Sequence, residues 1–327
     1  MPSRPIEIRL GGYGPATTTF SRALKLIGDR LKAAFGDGVE IRYVWNIMDF
    51  GYKSEDILWL VESGVLTLGY QSSSYFTDRV PEIGLLDLPF LFATREAARA
   101  AMDGPLGRVM AGKIEAGLNH RVLGYFENGF RHISNRLRPV RRPADLAGMT
   151  IRMLPSDIQV RTFELLGAVP LRMDLTEAIE RIRAGTIDAQ ENPLANTVTY
   201  GVHKFHRFHS LTSHFYLSRP IFLHRLSYDG WPSELQRAMG DAVREAVAVQ
   251  RDLAIAEEEK ALAEIKSAGC EVLTLDAAEH AAFVAAVQPL RADAHKLYSA
   301  GLLSLIPSNS SSPLEGEGRE GVGGQRR

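Results

Sequence analysis

Two arginines stand where an apolar strand would ordinarily continue. Arg152 lies within Met149-Thr150-Ile151-Arg152-Met153-Leu154-Pro155, and Arg131 within Glu127-Asn128-Gly129-Phe130-Arg131-His132. A buried charge left unpaired costs several kcal/mol, so something anionic has to meet each guanidinium. One solution is internal, an ion pair with an acid such as Glu127 or Asp174. The other is external: a planar, permanently charged fork at a strand end can hold a carboxylate through two parallel hydrogen bonds. Crevices at strand ends are where α/β sheets take their ligands. Asn192 precedes Pro193 and so stands at another strand end. Its amide can serve the same carboxylate or, alternatively, cap the helix that Pro193 begins.

Other chemistries find less support. Gly12-Tyr13-Gly14-Pro15-Ala16-Thr17 starts like a dinucleotide fingerprint, but Thr17 fills the last position and Pro15 removes an amide from the phosphate cradle. His203, His206, His209 and His214 are spaced so that some share a helical face, as metal ligands do. The plainer reading is an aromatic and basic helix end leading into a strand. No GxSxG elbow, HExxH or zinc-deaminase signature occurs. The one cysteine, Cys270, forms no intrachain disulfide and has no CxxC companion. Glu257 to Glu259 reads as a solvated helix face. No cofactor is implied.

A chain of 327 residues, 45% hydrophobic and 24% charged, is long enough for two cores. A formal net charge of -1 gives no general attraction for nucleic acid or an anionic membrane surface. No apolar run reaches membrane-spanning length. The amino terminus passes directly into a strand-like alternation with no apolar signal core.

The elements that must position the candidates alternate. Ile6–Leu10 reads as a strand, with Pro15 near the first turn of a helix carrying Phe20, Leu24, Ile27 and Leu31. A second strand follows Gly38, a short helix covers 54–62, and a third strand runs from Val65 into a polar loop. An alanine-rich helix is predicted over 94–116 and a strand from His120 to Phe130. In the second half, strands over 149–153, 168–173 and 186–192 alternate with helices capped by Ser156 and Thr176. One long helix runs from Pro232 to about Ala268, with Leu235, Met239, Val243, Ala246 and Val247 on one stripe. At 1.5 Å per residue it reaches roughly 50 Å, enough to brace two lobes. Residues 307–327 are rich in Ser, Gly and charge, which predicts a disordered tail.

The block from Asn128 to Ser156 ("NGFRHISNRLRPVRRPADLAGMTIRMLPS") and that from Leu165 to Pro193 ("LLGAVPLRMDLTEAIERIRAGTIDAQENP") resemble solute-binding proteins of tripartite ATP-independent periplasmic (TRAP) transporters, of the dicarboxylate-binding DctP type. The similarity extends through "LTSHFYLSRPIFLHR" to about residue 299. It implies an α/β, two-lobed periplasmic-binding-protein fold, each lobe a mixed sheet flanked by helices. Lobe I would comprise 1–127 with 211–250, and lobe II 128–210 with 251–306. It further implies a receptor, not an enzyme, that closes on a small organic acid and delivers it to integral membrane TRAP permease subunits, as monomer or homodimer. A binding or sensor protein of the same fold for another transport system is the alternative, with an enzyme on this scaffold the less favoured one. The expected location is the periplasm, with an export leader either missing from the sequence or lost to a start placed late; a cytosolic relative is the less favoured third option.

By the same resemblance, Arg152 pairs with the ligand carboxylate, Arg131 is a second basic contact and Asn192 completes the clamp. Tyr13, Gly14, Trp45, Asn46, Tyr70, Gln71, Ser72 and Ser73 would form the opposing wall. Met173, Trp45 and Tyr70 suit an apolar acid, Ser72 and Ser73 a hydroxylated one. Leu175 departs from the phenylalanine that many relatives place against the ligand.

Overall fold

Strand-forming segments pair into one mixed sheet in the structure, a computed structural model that describes residues 4–307. The strands are β1 (Ile6–Gly11), β2 (Val39–Val44), β3 (Leu68–Tyr70), β4 (His120–Asn135), β5 (Thr150–Met153), β6 (Val169–Arg172), β7 (Ala189–Asn192), β8 (Phe208–His224) and β9 (Glu271–Thr274). Their order is β2-β1-β3-β8-β4-β7-β5-β6, with β9 added beside β8. β1 runs parallel to β2 and β3, and β5 runs parallel to β6 and β7. The long antiparallel pair β4 and β8 joins these two parallel groups.

That pair crosses between two apolar cores. Ile8, Leu10, Leu68, Phe126 and Phe222 belong to the first, and Ile133, Ile151, Met153, Phe163 and Phe215 to the second. Irregular register between Glu127 and Gly129, and again between Arg131 and Ile133, marks the crossing. Bulges there bend β4. Gly129 has φ +93, a left-handed conformation that a side chain would strain. The expected strand from His120 therefore does not stop at Phe130; it continues through the bend to Asn135.

Helices α1 (Thr19–Phe35), α2 (Ile57–Glu62), α3 (Arg95–Asp103), α4 (Pro105–Gly117), α5 (Asp157–Leu165), α6 (Leu175–Arg183), α7 (Leu194–Thr199), α8 (Arg225–Asp229), α9 (Ser233–Ser267) and α10 (Ala277–Ala286) flank the sheet. α1 begins after Thr18, whose hydroxyl accepts from the Ser21 amide, so Pro15 lies upstream of the first turn rather than in it. The helix predicted over 94–116 is two, broken at Gly104 because Pro105 has no N–H to continue the ladder. Asp174, not Thr176, caps α6, its carboxylate accepting from the Thr176 amide at 2.8 Å. Ser156 caps α5 as expected. The third strand is only Leu68–Tyr70; its polar continuation coils into a 3-10 turn at Ser73–Phe76.

α9 runs through 35 residues. Leu235, Met239, Val243 and Val247 pack in the first core, while Ala261 and Ile265 pack near Leu194 on the other side. Two of its acids, Glu257 and Glu258, are not a solvated face. Glu257 accepts from the Thr19 hydroxyl at 3.0 Å, and Glu258 accepts from the amides of Leu194 and Ala195 at 3.0 and 3.1 Å. α9 thus touches the amino termini of α1 and α7 through consecutive residues. Leu290, Ala294, Tyr298 and Leu302, after α10, pack in the first core. The predicted tail lies outside the described residues from 308 onward.

Candidate functional site

Strand alternation decides where Arg152 faces. Ile151 and Met153 are buried in the second core, which turns Arg152, between them, to the opposite face of β5. Its Nε donates to the Met173 carbonyl at 3.2 Å and its Nη2 to the Tyr75 hydroxyl at 3.0 Å. The residue is 2% exposed, yet among the described residues no carboxylate lies within ion-pairing distance. Asp174, the acid considered from the sequence, is one step removed. Tyr75 donates to it at 3.4 Å, and the Ser54 hydroxyl at 2.6 Å. Burial pushes the Asp174 carboxyl up, but the bonds from Ser54 and Thr176 and the charge of Arg152 hold it below the usual range.

Arg131 has the internal solution, with a different partner from those expected. Its Nε and Nη2 fork onto Glu191 of β7, Nη2 reaching Oε1 at 2.7 Å and the Glu191 carbonyl at 2.7 Å. Burial raises the Glu191 carboxyl; Arg131 and then His214, whose Nε2 lies 3.4 Å away, outweigh it and keep the acid ionised. Glu127 is occupied by Arg95 and Arg99 instead. All four histidines are buried, and three hold hydrogen bonds, His206 with Ser134, His209 with the His206 carbonyl and His214 with Thr212, while His203 lies 3.7 Å from Glu264. Burial pushes His206 down to about 3 and His209 to about 4, so both are neutral. Among the described residues no metal-binding group of His, Cys, Asp and Glu forms.

A third guanidinium, which the sequence reading did not single out, is Arg219 on β8. It lies 3.9 Å above the Phe20 ring and 5.2 Å from that of Tyr13, and its Nη2 donates to Asn128 at 2.8 Å. Like Arg152 it is buried without a carboxylate partner among the described residues. From Asn128 a chain of amides continues: Asn196 Nδ2 donates to Asn128 Oδ1 at 3.1 Å and to Asn192 Oδ1 at 3.0 Å. Asn192 does not cap α7, whose first amides belong to Glu258.

These groups line a narrow pocket of about 20 Å³ between the two halves of the sheet. Arg131, Arg152, Asn192, Leu154 and Leu175 contribute from the second half of the sheet; Tyr13, Gln71, Ser72 and Tyr75 from loops of the first; Asn128, Asn196, Tyr200 and Arg219 from the crossing region. Gln71 is held between the Ser54 carbonyl and the Ser72 amide, each at 2.8 Å, while the buried Ser72 hydroxyl makes no hydrogen bond. Around the cavity the two halves are stitched by Ser54 to Asp174, Thr77 to the Pro155 carbonyl at 2.9 Å, and Gln159 to Ser74 and Asp87 at 2.9 and 3.1 Å.

Residues 15–297 match the model of the bacterial extracellular solute-binding protein family 7, DctP. The chain belongs to this family. A solute-binding protein of Verminephrobacter eiseniae is 32% identical over 76% of the chain and 73% of its own length. The 2,3-diketo-L-gulonate-binding periplasmic protein YiaO of Escherichia coli is 34% identical over 65% of each. A TRAP periplasmic solute-binding protein from Bordetella bronchispeptica, described with pantoate in its density, superposes with a TM-score of 0.86 at 26% identity, covering 92% of this chain and 98% of that one. Membership in family 7 makes the chain a solute receptor of the TRAP class with the two-lobed α/β fold, and not an enzyme.

In this family 7 receptor the candidate residues divide. Arg131, Arg152, Asn192, Tyr13, Gln71 and Ser72 meet at the cavity; Gly14, Trp45, Asn46, Tyr70, Ser73 and Met173 are not part of its wall. Trp45 stacks on Tyr43 at 4.4 Å, and Asn46 caps a 3-10 turn through the Met48 amide. Tyr70 is buried behind Tyr13 and Phe20, each ring 5.2 Å away. A Cβ on Gly12 would come within 2.9 Å of the Tyr70 hydroxyl, so that glycine serves packing. Gly14 abuts Thr18, the buried Ser73 hydroxyl is unpartnered, and Met173 offers Arg152 only its carbonyl.

Tyr75, Asn128, Asn196, Tyr200 and Arg219 were not foreseen. Arg219 carried a readable signal, a cation inside the apolar run Phe215-Tyr216-Leu217-Ser218-Arg219-Pro220-Ile221, of the same kind that exposed Arg152.

Proposed function

We propose that this receptor binds a small organic acid in the cavity between its lobes, in the periplasm, and delivers it to the integral membrane subunits of a TRAP transporter. One observation carries the reading: Arg152 is a buried guanidinium, bonded only to a carbonyl and a phenol, lining the pocket between the two halves of the sheet. An anion is the group that completes it. Arg131 and Asn192 border the same space, and the relatives named for 2,3-diketo-L-gulonate and described with pantoate both concern carboxylates.

Binding and closure are linked. Arg152 belongs to the second lobe and Tyr75 to the first, so a carboxylate on Arg152 meets the first lobe's loops only when the stitches around the cavity form. The acid therefore stabilises the closed form by its contacts with both halves. The test is thermal unfolding against keto, hydroxy, sugar and dicarboxylic acids. An acid at a hundred times its dissociation constant should add about 2.7 kcal/mol. A shift that vanishes in Arg152→Ala supports the receptor; a full panel without a shift sinks it.

A further inference from the structure

The sheet has open edges at β2, β6 and β9, and they differ in what they offer a further strand. β6 and β9 are four residues long, and β6 holds Pro170, which has no N–H to give. β2 runs six residues in regular parallel register with β1 and contains no proline, glycine or bulge. Alternation sets where its backbone points. The Gly12 amide donates to the Val44 carbonyl, so Val44, Arg42 and Glu40 turn their peptide groups toward β1, while Val39, Ile41 and Tyr43 turn theirs away. Among the described residues the Ile41 and Tyr43 amides and the Ile41 carbonyl have no hydrogen-bond partner, and the Val39 carbonyl meets only the Lys32 amine, at 3.4 Å.

Such an edge is a template for another strand, and the side chains say which. Glu40 and Arg42 are exposed on one face of β2, where Arg42 Nη2 reaches Glu40 at 2.8 Å and its Nε reaches Glu7 at 3.1 Å. An antiparallel two-fold axis through Ile41 sets Glu40 of each copy opposite Arg42 of the other, Ile41 opposite Ile41 and Val39 opposite Tyr43. The same axis brings the outward peptide groups of Val39, Ile41 and Tyr43 into hydrogen-bonded pairs. An axis through Glu40 or Arg42 opposes like charges, and one through Val39 or Tyr43 pairs neither charge across the strands. On the other face, a groove of about 500 Å³ between Ile41, Tyr43 and the Gly28 to Lys32 stretch of α1 leaves room for the approaching chain. No residue of β2 lines the pocket between the lobes, so this edge is separate from that site.

We propose that β2 is the docking edge for a second copy of this chain, the two β2 strands pairing antiparallel about Ile41 so that two sheets join into one. The charge order Glu40-Ile41-Arg42 is complementary to itself in that register and in none of the neighbouring ones.

Light scattering during size exclusion, on the full chain from micromolar to millimolar concentration, should show the mass double. Glu40→Lys and Arg42→Glu each place like charges opposite one another twice, and each should raise the dissociation constant on the order of 10- to 100-fold. Mixed in equal amounts, the two variants should form a heterodimer about as tight as the dimer of the unmodified chain, because Lys at 40 then faces Glu at 42 and Arg42 faces Glu40. Ile41→Pro removes the central outward amide and should leave a monomer. Should that variant fail to fold, the mixing experiment still decides, since both charge reversals lie on exposed residues. A chain that stays monomeric at millimolar concentration, a dimer that persists in both charge reversals, or a mixture that associates no better than either variant alone overturns the inference.

Discussion

Replacing Arg152 and Arg131 in turn by methionine separates a ligand arginine from a structural one. In Arg131→Met, Glu191 remains buried with its main counter-charge gone. Breaking a buried pair from one side typically costs about 3–5 kcal/mol. For a domain larger than 150 residues, each kcal/mol moves the melting temperature by roughly 2–4 °C, so the loss should be on the order of 10 °C. In Arg152→Met no carboxylate is stranded. The change removes two hydrogen bonds, to Met173 and Tyr75, and also removes an uncompensated buried cation. Those effects oppose one another, so the ligand-free melting temperature should move by only a few degrees in either direction. Affinity should respond the other way round, with Arg152→Met losing about 2–5 kcal/mol of acid binding, or more than tenfold. Differential scanning calorimetry and titration calorimetry on both variants decide it. If Arg152→Met melts as low as Arg131→Met and still binds the acid normally, the assignment of Arg152 to the ligand is wrong.

Asp87 gives a pH signature. Burial outweighs its bonds from Ser156, Ser74 and Gln159 and lifts it from 3.8 to about 6. The folded chain thus holds that proton more tightly than the unfolded one. The contribution is fully present below pH 3.8 and is lost as pH rises through about 6. The unfolding free energy of the wild type minus that of Asp87→Asn should fall by on the order of 3 kcal/mol from pH 4 to 7; a flat difference would falsify the assignment. Tyr75→Phe removes the hydroxyl that links Arg152, Asp174 and the Leu175 amide, and should weaken acid binding by about 1–2 kcal/mol in titration calorimetry. Glu258→Ala uncaps α7 and should lower stability by about 1 kcal/mol while loosening Asn196, with unchanged melting temperature and affinity counting against it.

Periodicity made the α/β alternation legible, because Phe20 to Leu31 and Leu235 to Val247 repeat at helical spacing and bury as that spacing requires. Breaks were harder to place. Gly104-Pro105 interrupts a run of excellent helix formers, and propensity summed over the window conceals one missing amide. The bend in β4 rests on Gly129 and on pairing with a strand some 90 residues away, which local patterning does not reveal. Arg152 was legible as a charge in an apolar strand, since burying it has a large and general cost. The partner of Arg131 was not: Glu191 approaches it only because β4 and β7 pair in antiparallel register, Ile133 opposite Glu191. First-lobe loops were the least readable. Their backbone paths send Tyr75 inward and leave Trp45 stacked on Tyr43, and no periodicity governs such paths.

The two unpaired guanidinium groups also bear on how quickly the receptor finds its cargo. The protein as a whole is almost neutral, with a formal charge of -1, so from a distance it neither attracts nor repels an anion strongly. In the open form that the proposed function requires, Arg152 and Arg219 would form a cationic mouth with low-dielectric walls, where field lines converge. Capture is steered over about one Debye length, near 8 Å at physiological ionic strength, and no farther. Added salt therefore slows the approach of the acid, while its escape from the closed cavity, already shielded from water, scarcely senses the ions outside.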